Sequence, residues 1–499
     1  MYLWVYLCVV LCVCIYLTTL ALSWRAKRNY AHLPTYTNYP IIGAIYKFYG
    51  DTQNFFKRFL EITERAEKTD MPFALWFGPV PCLFLNDPDD IRVASNAFVD
   101  KPYYYSFAKV WLGDGLVTAP GWIWKKNVKK IASTFIGPAI DSYQIIFNEN
   151  ADKLVKYLKP EVDGDFFDSM PHFSLSTMET ICQAGLGVSK ISDNFVTDTY
   201  YKAFNRTLEL IIIRGLNLFM HWGFIYRLTA AHKEMLECVS VLHKVSSTVI
   251  KEKKTARKLK ESANKDGARN EEDKPSIKAF IDLMLEMSEK DPSFTESQII
   301  DEINTIILAG QETVATTLFY TLLVIGSRKD VQQNLYDEIK RVLGDRKDVQ
   351  KEDLAQLTYC EAVINESLRL YPPVVGVMRY ADNDLKLKSV TVTKGTTIVL
   401  NLWGVSRSPR HWGSDAEEFK PERWLPPNNP SVYAHLPFSS GKRACIGKRY
   451  AMAFLKTILV HVLREYEVIS EDTFNKMEFK LDIALRPVNG HLMKLRLRD

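Results

Sequence analysis

The hydrophobic pattern is mostly helical from Phe55 onward, with apolar residues recurring about every three to four positions. Short apolar runs interrupt it and predict strands: MPFALWFG, VPCLFL, LKLKSVTV, TTIVLNLW and MKLRLR. Strands do not alternate with helices, and no strand leads into a glycine-rich phosphate loop. A nicotinamide or flavin domain within this chain is therefore not expected. The pattern predicts a mainly α protein with small β-sheets.

An uncharged apolar segment occupies residues 1–24. As a helix rising about 1.5 Å per residue it would span roughly 35 Å, which is enough to cross a bilayer. Basic residues follow directly, and such residues favour the cytoplasmic side. We predict a transmembrane signal anchor over 1–24, a basic and proline-containing connector over 25–50, and a cytoplasmic body over 51–499. A cleaved signal peptide is the alternative, but the segment has no basic leader.

Net charge and cysteine spacing exclude some classes of function. The 499 residues carry a formal net charge of only +5, which gives no reason to expect nucleic acid as a partner. Eight cysteines are scattered without paired spacing, as in a reduced intracellular protein. The densely charged segment 251–276 predicts a solvated helix end followed by a mobile loop.

A long helical pattern begins after PSFTESQ, in which Thr295 and Gln298 have the spacing of a capping box. A helix from there to about Arg328 would be roughly 45–50 Å long. Its middle reads AGQET, where Gly310 costs about 1 kcal/mol relative to alanine. Glu312 and Thr313 then place polar groups on an otherwise apolar face. This combination is unusual for a helix that serves packing alone.

Two further motifs follow the long helix. Glu366 and Arg369 are three residues apart and share one face of a helix that Pro372 ends. By itself such a pair is an ordinary surface pair worth less than about 1 kcal/mol. Farther along, the proline-bounded stretch FKPERWLPP contains Arg423 and predicts irregular backbone.

A lone cysteine stands in the stretch FSSGKRACIGKRYAMAF, between glycines and basic residues and just before a helical pattern. Helix N–H groups and nearby cations at such a position favour the thiolate of Cys445 over the thiol. From the residues alone, four uses stay open. They are a nucleophile with His411 or His435 as base, a structural zinc ligand, an axial ligand of haem iron, and a small buried hydrophobe.

Together these motifs resemble those of the cytochrome P450 monooxygenases. The loop around Cys445, the Glu366–Arg369 pair, the PERW stretch and the AGQET segment occur in that family's order. The likeness covers essentially the whole chain and is greatest to microsomal members of the insect branch related to family 4. It implies the cytochrome P450 fold, with a single haem-binding catalytic domain behind the anchor and noncovalent haem b as cofactor.

The resemblance assigns roles to individual residues. Cys445 would be the axial thiolate ligand of the haem iron, which favours cleavage of the O–O bond. Thr313 would hydrogen-bond to oxygen bound above the haem, Glu312 would relay protons and Gly310 would leave room for oxygen. The other cofactor-binding positions are Arg443, Arg379 and Trp124, on the haem propionates, and Phe438, Gly441 and Gly447, around the sulfur.

The resemblance also makes Glu366, Arg369 and Arg423 a buried charge cluster, in which loss of one partner costs several kcal/mol. Two positions depart from the family pattern. The family often has an arginine on a propionate where this chain has Val128, and neighbouring lysines are less rigid donors. Some family-4 relatives have a glutamate that can be esterified to haem where this chain has Ala309. We therefore expect extractable haem, and the case for fatty-acid ω-hydroxylation is weakened.

The implied function is insertion of one oxygen atom of O2 into a lipophilic organic substrate at the endoplasmic reticulum membrane. Electrons would come from NADPH through NADPH–cytochrome P450 reductase, with cytochrome b5 as a further partner. A basic patch would dock the reductase: Lys125, Lys126, Lys129, Lys130, Lys442, Lys448 and Arg449. Apolar pocket walls are expected at Tyr103–Leu116, Leu208–Tyr226, Ala309, Val374–Val377 and Leu485–Val488. The alternatives are a thiolate-haem isomerase or dehydratase and a noncatalytic carrier of haem or lipophiles, and retention of Glu312 and Thr313 argues against both.

Overall fold

The computed structural model describes residues 2–39, 41–187, 198–265, 278–428, 433–470 and 477–498. The α-helices of these residues are α1 Tyr2–Asn29, α2 Thr52–Thr69, α3 Pro88–Ala97, α4 Lys109–Leu112, α5 Gly121–Ala132, α6 Gly137–Ser142, α7 Gln144–Leu158, α8 Met170–Leu186, α9 Asp198–Leu216, α10 Gly223–Arg227, α11 Ala230–Lys265, α12 Phe280–Lys290, α13 Glu296–Ser327, α14 Lys329–Leu343, α15 Asp353–Gln356, α16 Thr358–Leu370, α17 Leu402–Arg407, α18 Pro409–Trp412 and α19 Lys448–Glu465.

The β-strands are short and form small sheets. They are β1 Phe73–Phe77, β2 Val80–Leu85, β3 Phe167–Asp168, β4 Val377–Tyr380, β5 Leu385–Lys386, β6 Thr391–Val392, β7 Thr397–Leu400, β8 Tyr466–Ile469, β9 Phe479–Leu481, β10 Leu485–Pro487 and β11 Leu492–Leu497. The mainly helical composition with small sheets confirms the predicted fold class.

The chain forms two compact units. The first unit comprises Met1–Pro102, Leu368–Cys445 and Glu478–Val488, and the second comprises Tyr103–Ser367, Ile446–Met477 and Asn489–Asp499. The prediction of a single catalytic domain over 51–499 stays a prediction, and each unit is described by itself.

A four-stranded sheet of order β1-β2-β7-β4 organises the first unit. The first two strands form an antiparallel hairpin with Phe73 opposite Phe84, and β2 runs parallel to β7. Strand β4 is antiparallel to β7 and places Arg379 opposite Ile398. Both faces of the central strands are buried, which explains why their sequences read as continuous apolar runs.

The end of α1 packs into the first unit, since Ala26 and Tyr30 belong to its hydrophobic core. The Tyr30 hydroxyl hydrogen-bonds with the hydroxyls of Thr393 (3.0 Å) and Thr396 (2.9 Å). The helix runs on past the predicted boundary at residue 24 to Asn29, because Arg, Ala and Lys are good helix formers and basic residues suit a helix C-terminus. Pro40 of the predicted connector lies outside the described residues.

The long helix predicted after Thr295 is confirmed as α13, the core helix of the second unit. The Thr295 hydroxyl accepts a hydrogen bond from the Gln298 N–H (3.3 Å) and caps its start. Among the described residues, α13 has the length and apolar composition to span a membrane, but 83% of its most apolar window is buried inside the protein. It is therefore a packing helix, and its burial on nearly all sides explains the continuous apolar sequence.

Most predicted strands are confirmed, with two differences. The run LKLKSVTV forms the antiparallel pair β5 and β6 around a tight turn and not one strand. The run TTIVLNLW leaves the sheet after Leu400, because the Asn401 side chain accepts from the Gly404 N–H (3.0 Å) and starts α17. Helix α11 continues to Lys265, as expected for a solvated helix end, and the rest of the charged segment lies outside the described residues.

Candidate functional site

The Cys445 loop closes on itself in the first unit. The Cys445 N–H donates to the Phe438 carbonyl oxygen (2.9 Å), and the Ala444 N–H donates to the Gly441 carbonyl oxygen (3.1 Å). The thiol of Cys445 is exposed, so the alternative of a small buried hydrophobe is wrong. The loop presents one accessible sulfur on a backbone that hydrogen bonds hold in a defined turn.

Gly441 is required by both backbone geometry and space. Its φ of +72° lies in the left-handed region, and a Cβ atom there would be 2.4 Å from the carbonyl oxygen of Ser95 in α3. The Ser95 hydroxyl also lies 3.3 Å from the Ser440 hydroxyl. The turn is thus packed directly against α3, which restrains the residues that lead to Cys445.

Three cationic side chains come together at this loop: Lys101, Arg379 and Arg443. Arg443 Nε donates to the Val99 carbonyl oxygen (3.0 Å), and the Tyr380 N–H, next to Arg379, donates to the Asp100 carbonyl oxygen (2.9 Å). The segment that ends in Lys101 is therefore tied to both arginine-bearing segments.

The positive charges of this group act on one another. Burial, followed by the positive charges of Arg379 and Arg443, lowers the pKa of Lys101 well below its ordinary value. Arg379 is only 1% exposed, and Lys101 lies deep although part of its side chain remains accessible. Gathering positive charge in a desolvated place is costly unless a negative group offsets it. Sequence reasoning missed Lys101, because nothing local in FVDKPYYY shows which distant segments approach it.

The predicted oxygen-side residues lie together on α13 in the second unit. The helix is buried along most of its length, but Ala309 is exposed and Thr313, one turn later, is partly exposed. The Thr313 hydroxyl donates to the Ala309 carbonyl oxygen (2.7 Å), and Glu312 is buried at 3% exposure. Exposed Ala309 and partly exposed Thr313, four residues apart, thus leave one short face of this core helix accessible.

Gly310 permits close packing of α13 on α8. A Cβ atom at Gly310 would be 2.7 Å from Ile181 Cδ1 and 2.8 Å from Ile181 Cγ1. The Ile181 side chain would have to shift to admit even a methyl group at position 310. This packing is a sufficient physical reason for the mid-helix glycine, and the assigned role in making room for oxygen stays a prediction.

Helix α5 carries the predicted Trp124, which is buried at 7% exposure. One turn farther, Asn127 is buried at 1% exposure, and neither polar atom of its amide has a hydrogen-bond partner among the described residues. Val128, at the position of the missing family arginine, is partly exposed. Gly447 is the N-cap residue of α19, so the cysteine loop does lead into a helix as expected.

The predicted charge cluster has a specific set of contacts. Arg369 is fully buried and donates to three backbone carbonyls, those of Ser406 (2.9 Å), Ala416 (2.5 Å) and Glu418 (3.0 Å). These bonds hold together the irregular segment that contains PERW. The pairing of Glu366 with the arginines stays a prediction.

Arg423, in the PERW turn, is also tied locally. It forms an ion pair with Asp415 (2.9 Å) and donates to the Trp412 carbonyl oxygen (3.2 Å). Hydrogen bonds from Lys420 and then Arg423 lower the pKa of Asp415 to about 2, so this carboxylate stays ionised through the physiological range.

The basic side chains predicted to form a docking patch are mostly at the surface. Lys125, Lys126 and Lys129 of α5 and Lys448 and Arg449 of α19 are exposed in the second unit. Lys442 is exposed in the first unit, whereas Lys130 is partly buried and paired with Asp291.

Comparison with known proteins identifies the family to which the chain is similar. The sequence model of the family described as Cytochrome P450 matches residues 33–493. The chain is 31% identical to human cytochrome P450 4V2 over 493 residues, covering 96% of this chain and 92% of that protein. It is 27% identical to cytochrome P450 4g15 of Drosophila melanogaster, covering 95% and 94%, and 29% identical to cytochrome P450 4c21 of Blattella germanica, covering 95% of each.

The likeness to family 4, including insect members, is thereby confirmed. The match to the family extends over both units. The chain belongs to the cytochrome P450 family and is a haem monooxygenase.

Proposed function

We propose that this protein is a membrane-bound haem-thiolate monooxygenase that oxidises lipophilic organic substrates with electrons delivered from NADPH by a reductase. The observation that carries the proposal is the exposed Cys445 thiol on a closed loop beside three gathered cations. A cysteine sulfur and cations suited to carboxylates on one unit match the two parts of an iron porphyrin that a protein binds, its central metal and its two propionates.

The residues present fit haem b. Cys445 would supply the single axial sulfur ligand. Arg379, Arg443 and Lys101 would hold propionate carboxylates by charge-assisted hydrogen bonds.

Bound haem supplies the chemistry of oxygen activation, and the protein directs it. The Thr313 hydroxyl donates its own proton to the Ala309 carbonyl oxygen. Its oxygen can therefore accept a hydrogen bond on the side of the haem where O2 would bind, and so fix the position of the donated proton. The buried carboxyl group of Glu312 would pass protons toward Thr313 Oγ1. The apolar side chains around Ala309 would exclude water and orient the substrate carbon.

A membrane location is supported by apolar surface in both units. Helix α1 has 28 residues, which corresponds to about 42 Å, and its sequence is uncharged as far as Trp24. In the second unit, Phe219, Trp222 and Phe224 are exposed at 68%, 60% and 70%. Exposed aromatic groups of this size are uncommon on a protein surface that faces only water, and they fit the interface of a bilayer. These surfaces support the proposed location at the endoplasmic reticulum membrane, and the basic residues after Trp24 support a body on the cytoplasmic side.

The test is the absorption spectrum of the purified, reduced protein with carbon monoxide. Thiolate ligation predicts a far-shifted Soret band, and Cys445→Ala should abolish that band while the far-ultraviolet circular dichroism stays unchanged. Cys238→Ala, which changes another free cysteine, is the matched control and should keep the band. A folded wild-type protein without the band, or a Cys445→Ala protein that retains it, would overturn the proposal.

The catalytic part of the proposal is tested separately. We expect NADPH consumption and oxygenated product when the protein is combined with NADPH–cytochrome P450 reductase and a panel of lipophilic substrates. Rapid conversion of organic peroxides without reductase would instead favour the isomerase or dehydratase alternative. Tight binding of lipophiles with neither activity would favour a carrier.

A further inference from the structure

Two adjacent carboxylates of α13 hold the loop between α4 and α5. Asp301 Oδ2 accepts a hydrogen bond from the Asp114 N–H (3.0 Å), and Glu302 Oε2 accepts one from the Leu116 N–H (2.9 Å). All four residues belong to the second unit. Since the donors are backbone groups, these contacts fix the path of the loop and not only its side chains.

The hydrogen bonds inside the segment explain why Asp114 and Leu116 need outside partners. The N–H groups of Gly113 and Gly115 donate to carbonyls at the two ends of α4, at 2.9 and 3.0 Å. The N–H groups of Asp114 and Leu116 donate instead to Asp301 and Glu302, and backbone donors in a packed loop need acceptors. The carboxylates on α13 are those acceptors, so the helix supplies the hydrogen bonds that the backbone of the loop needs.

Both glycines allow the loop to approach α13 closely. Gly113 has a φ of +48°, and a Cβ atom there would be 2.1 Å from Asp301 Oδ1. At Gly115 a Cβ atom would be 2.1 Å from Thr305 Oγ1 and 2.7 Å from the Asp301 carbonyl oxygen. The loop can therefore lie this close to α13 only with glycine at both positions of its GDG sequence.

The residues before the loop are anchored independently. His243 Nε2, on α11, donates to the Trp111 carbonyl oxygen (2.7 Å). The Trp111 ring packs edge-on against Phe204 of α9, with ring centroids 5.3 Å apart. Because α4 is held by α9 and α11, the two carboxylates of α13 control chiefly the four residues 113–116.

The held loop lies near the exposed face of α13. Glu302 and Ala309 are seven residues apart, which is two turns, so they share a face and are separated by about 10 Å along the axis. Leu116, whose N–H the Glu302 carboxylate holds, is itself partly exposed. The contact thus links a loop of the predicted substrate wall to the helix that carries Ala309 and Thr313.

We propose that Asp301 and Glu302 are positioning residues that hold loop 113–116 as one wall of the substrate site and thereby determine which substrates fit. They act through the loop and do not touch the reacting atoms. This inference rests on the proposed monooxygenase function, because it takes the space beside Ala309 as the substrate site.

Four variants test the proposal by two independent routes. Asp301→Ala and Glu302→Leu remove the acceptors, whereas Glu302→Gln keeps an acceptor oxygen. Gly115→Ala leaves both carboxylates intact but forces the loop away from Thr305. Glu296→Leu, an exposed carboxylate on the same helix, is the matched control.

The first readout is amide hydrogen exchange of the peptide that spans residues 109–118, measured on the full-length protein. We expect exchange to rise by about fivefold or more in Asp301→Ala, Glu302→Leu and Gly115→Ala, because one hydrogen bond of ordinary strength is lost. Glu302→Gln should change it less, and Glu296→Leu should leave it unchanged.

The second readout is the spectral Kd for a straight-chain fatty acid and for a bulky branched acid of the same carbon number. We expect the ratio of the two constants to move toward one by about fivefold in Glu302→Leu and Gly115→Ala, with Glu302→Gln closer to the wild type. Unchanged exchange in the variants would show that the carboxylates do not hold the loop. Faster exchange with an unchanged ratio would show that the loop does not select substrates.

Failure of the proposed function gives a different result. If the wild type lacks the carbon monoxide band, the haem assignment fails while the exchange experiment still reports on the loop. If the band is present and the exchange or selectivity result is negative, only the positioning role is overturned.

Discussion

His461 is a buried histidine whose environment keeps it neutral. Its Nε2 donates to Asn148 Oδ1 (3.0 Å), and the same oxygen accepts from the Val349 N–H (2.9 Å). The Asn148 amide nitrogen in turn donates to the carbonyl oxygens of Gln144 (3.0 Å) and Val349 (2.9 Å). Burial lowers the pKa of His461 to about 4 from its ordinary value of 6.5.

This shift predicts a loss of stability in acid. The unfolded chain protonates the imidazole near its ordinary pKa, whereas the folded protein resists protonation until the lower pKa. The contribution of His461 is therefore complete above about pH 6.5 and is lost as the pH falls toward 4, by about 2 kcal/mol at pH 5. The urea midpoint of His461→Gln should fall less between pH 7 and pH 5 than that of the wild type. Equal acid sensitivity of the two proteins would contradict the assignment.

Lys101 is predicted to strengthen cofactor retention. Lys101→Met should speed transfer of haem to apomyoglobin by about tenfold or more, because a charge-assisted hydrogen bond to a carboxylate is lost. Lys101→Arg should retain most of the effect, and exposed Lys126→Met should not change the rate. If Lys101→Met and the wild type transferred haem at the same rate, the prediction that Lys101 binds the haem would be wrong.

Ala309 is predicted to leave the haem without a covalent link to the chain. Its methyl group cannot form an ester, so acid–acetone should extract all the haem from the wild-type protein after turnover. Ala309→Glu introduces the carboxylate found in some relatives and should leave a fraction of the haem on the polypeptide. Haem retained on the wild-type chain would contradict the prediction.

At the scale of elements, the contact between α8 and α13 depends on a single missing side chain. Gly310→Ala places a methyl group 2.7 Å from Ile181 Cδ1. Overpacking of this kind costs about 1–3 kcal/mol, which exceeds the gain of about 1 kcal/mol from replacing glycine in a helix. We expect the unfolding temperature to fall by a few degrees.

The same contact offers a double-mutant test. Ile181→Val removes the nearest atom, Cδ1, so Gly310→Ala should cost less in that background than in the wild type. Strictly additive effects would mean that the two residues do not limit one another. The result also separates a packing role of Gly310 from a role in oxygen access, because it is read from stability and not from activity.

At the scale of the whole molecule, surface charge is predicted to guide the encounter with the reductase. Lys126 and Lys448 are exposed on α5 and α19 of the second unit. Reversing both charges with Lys126→Glu and Lys448→Glu should slow reduction by reductase by about tenfold at low salt, and the difference should shrink as salt screens the charges.

The control for that experiment makes the same charge change elsewhere. Lys233 and Lys244 are exposed on α11, and Lys233→Glu with Lys244→Glu should leave the reduction rate near that of the wild type. Equal slowing by both pairs would point to net charge alone. If Lys126→Glu with Lys448→Glu left the reduction rate unchanged, the predicted docking surface on α5 and α19 would be wrong.

Local structure could be predicted from the sequence because it depends on neighbours in the chain. Periodicity and a capping threonine predicted the existence and approximate length of α13, and α16 ends at Leu370, two residues before Pro372, as expected. The strand predictions failed where a local polar group competed with the sheet, as at Asn401, whose side chain starts a helix. Such competition is decided by small energy differences that the apolar pattern does not contain.

What the sequence by itself determined is the identity of the chemistry: a lone cysteine in a glycine-rich loop, the order of the motifs and hence the family. Only the tertiary structure decided that Lys101 joins Arg379 and Arg443, and that Asp301 and Glu302 hold a loop far from them in the chain. Arg443 and Val99 are 344 positions apart, and Glu302 and Leu116 are 186 apart. Hydrophobic periodicity specifies which face of an element is buried, but the packing of whole elements specifies which distant backbone groups meet there.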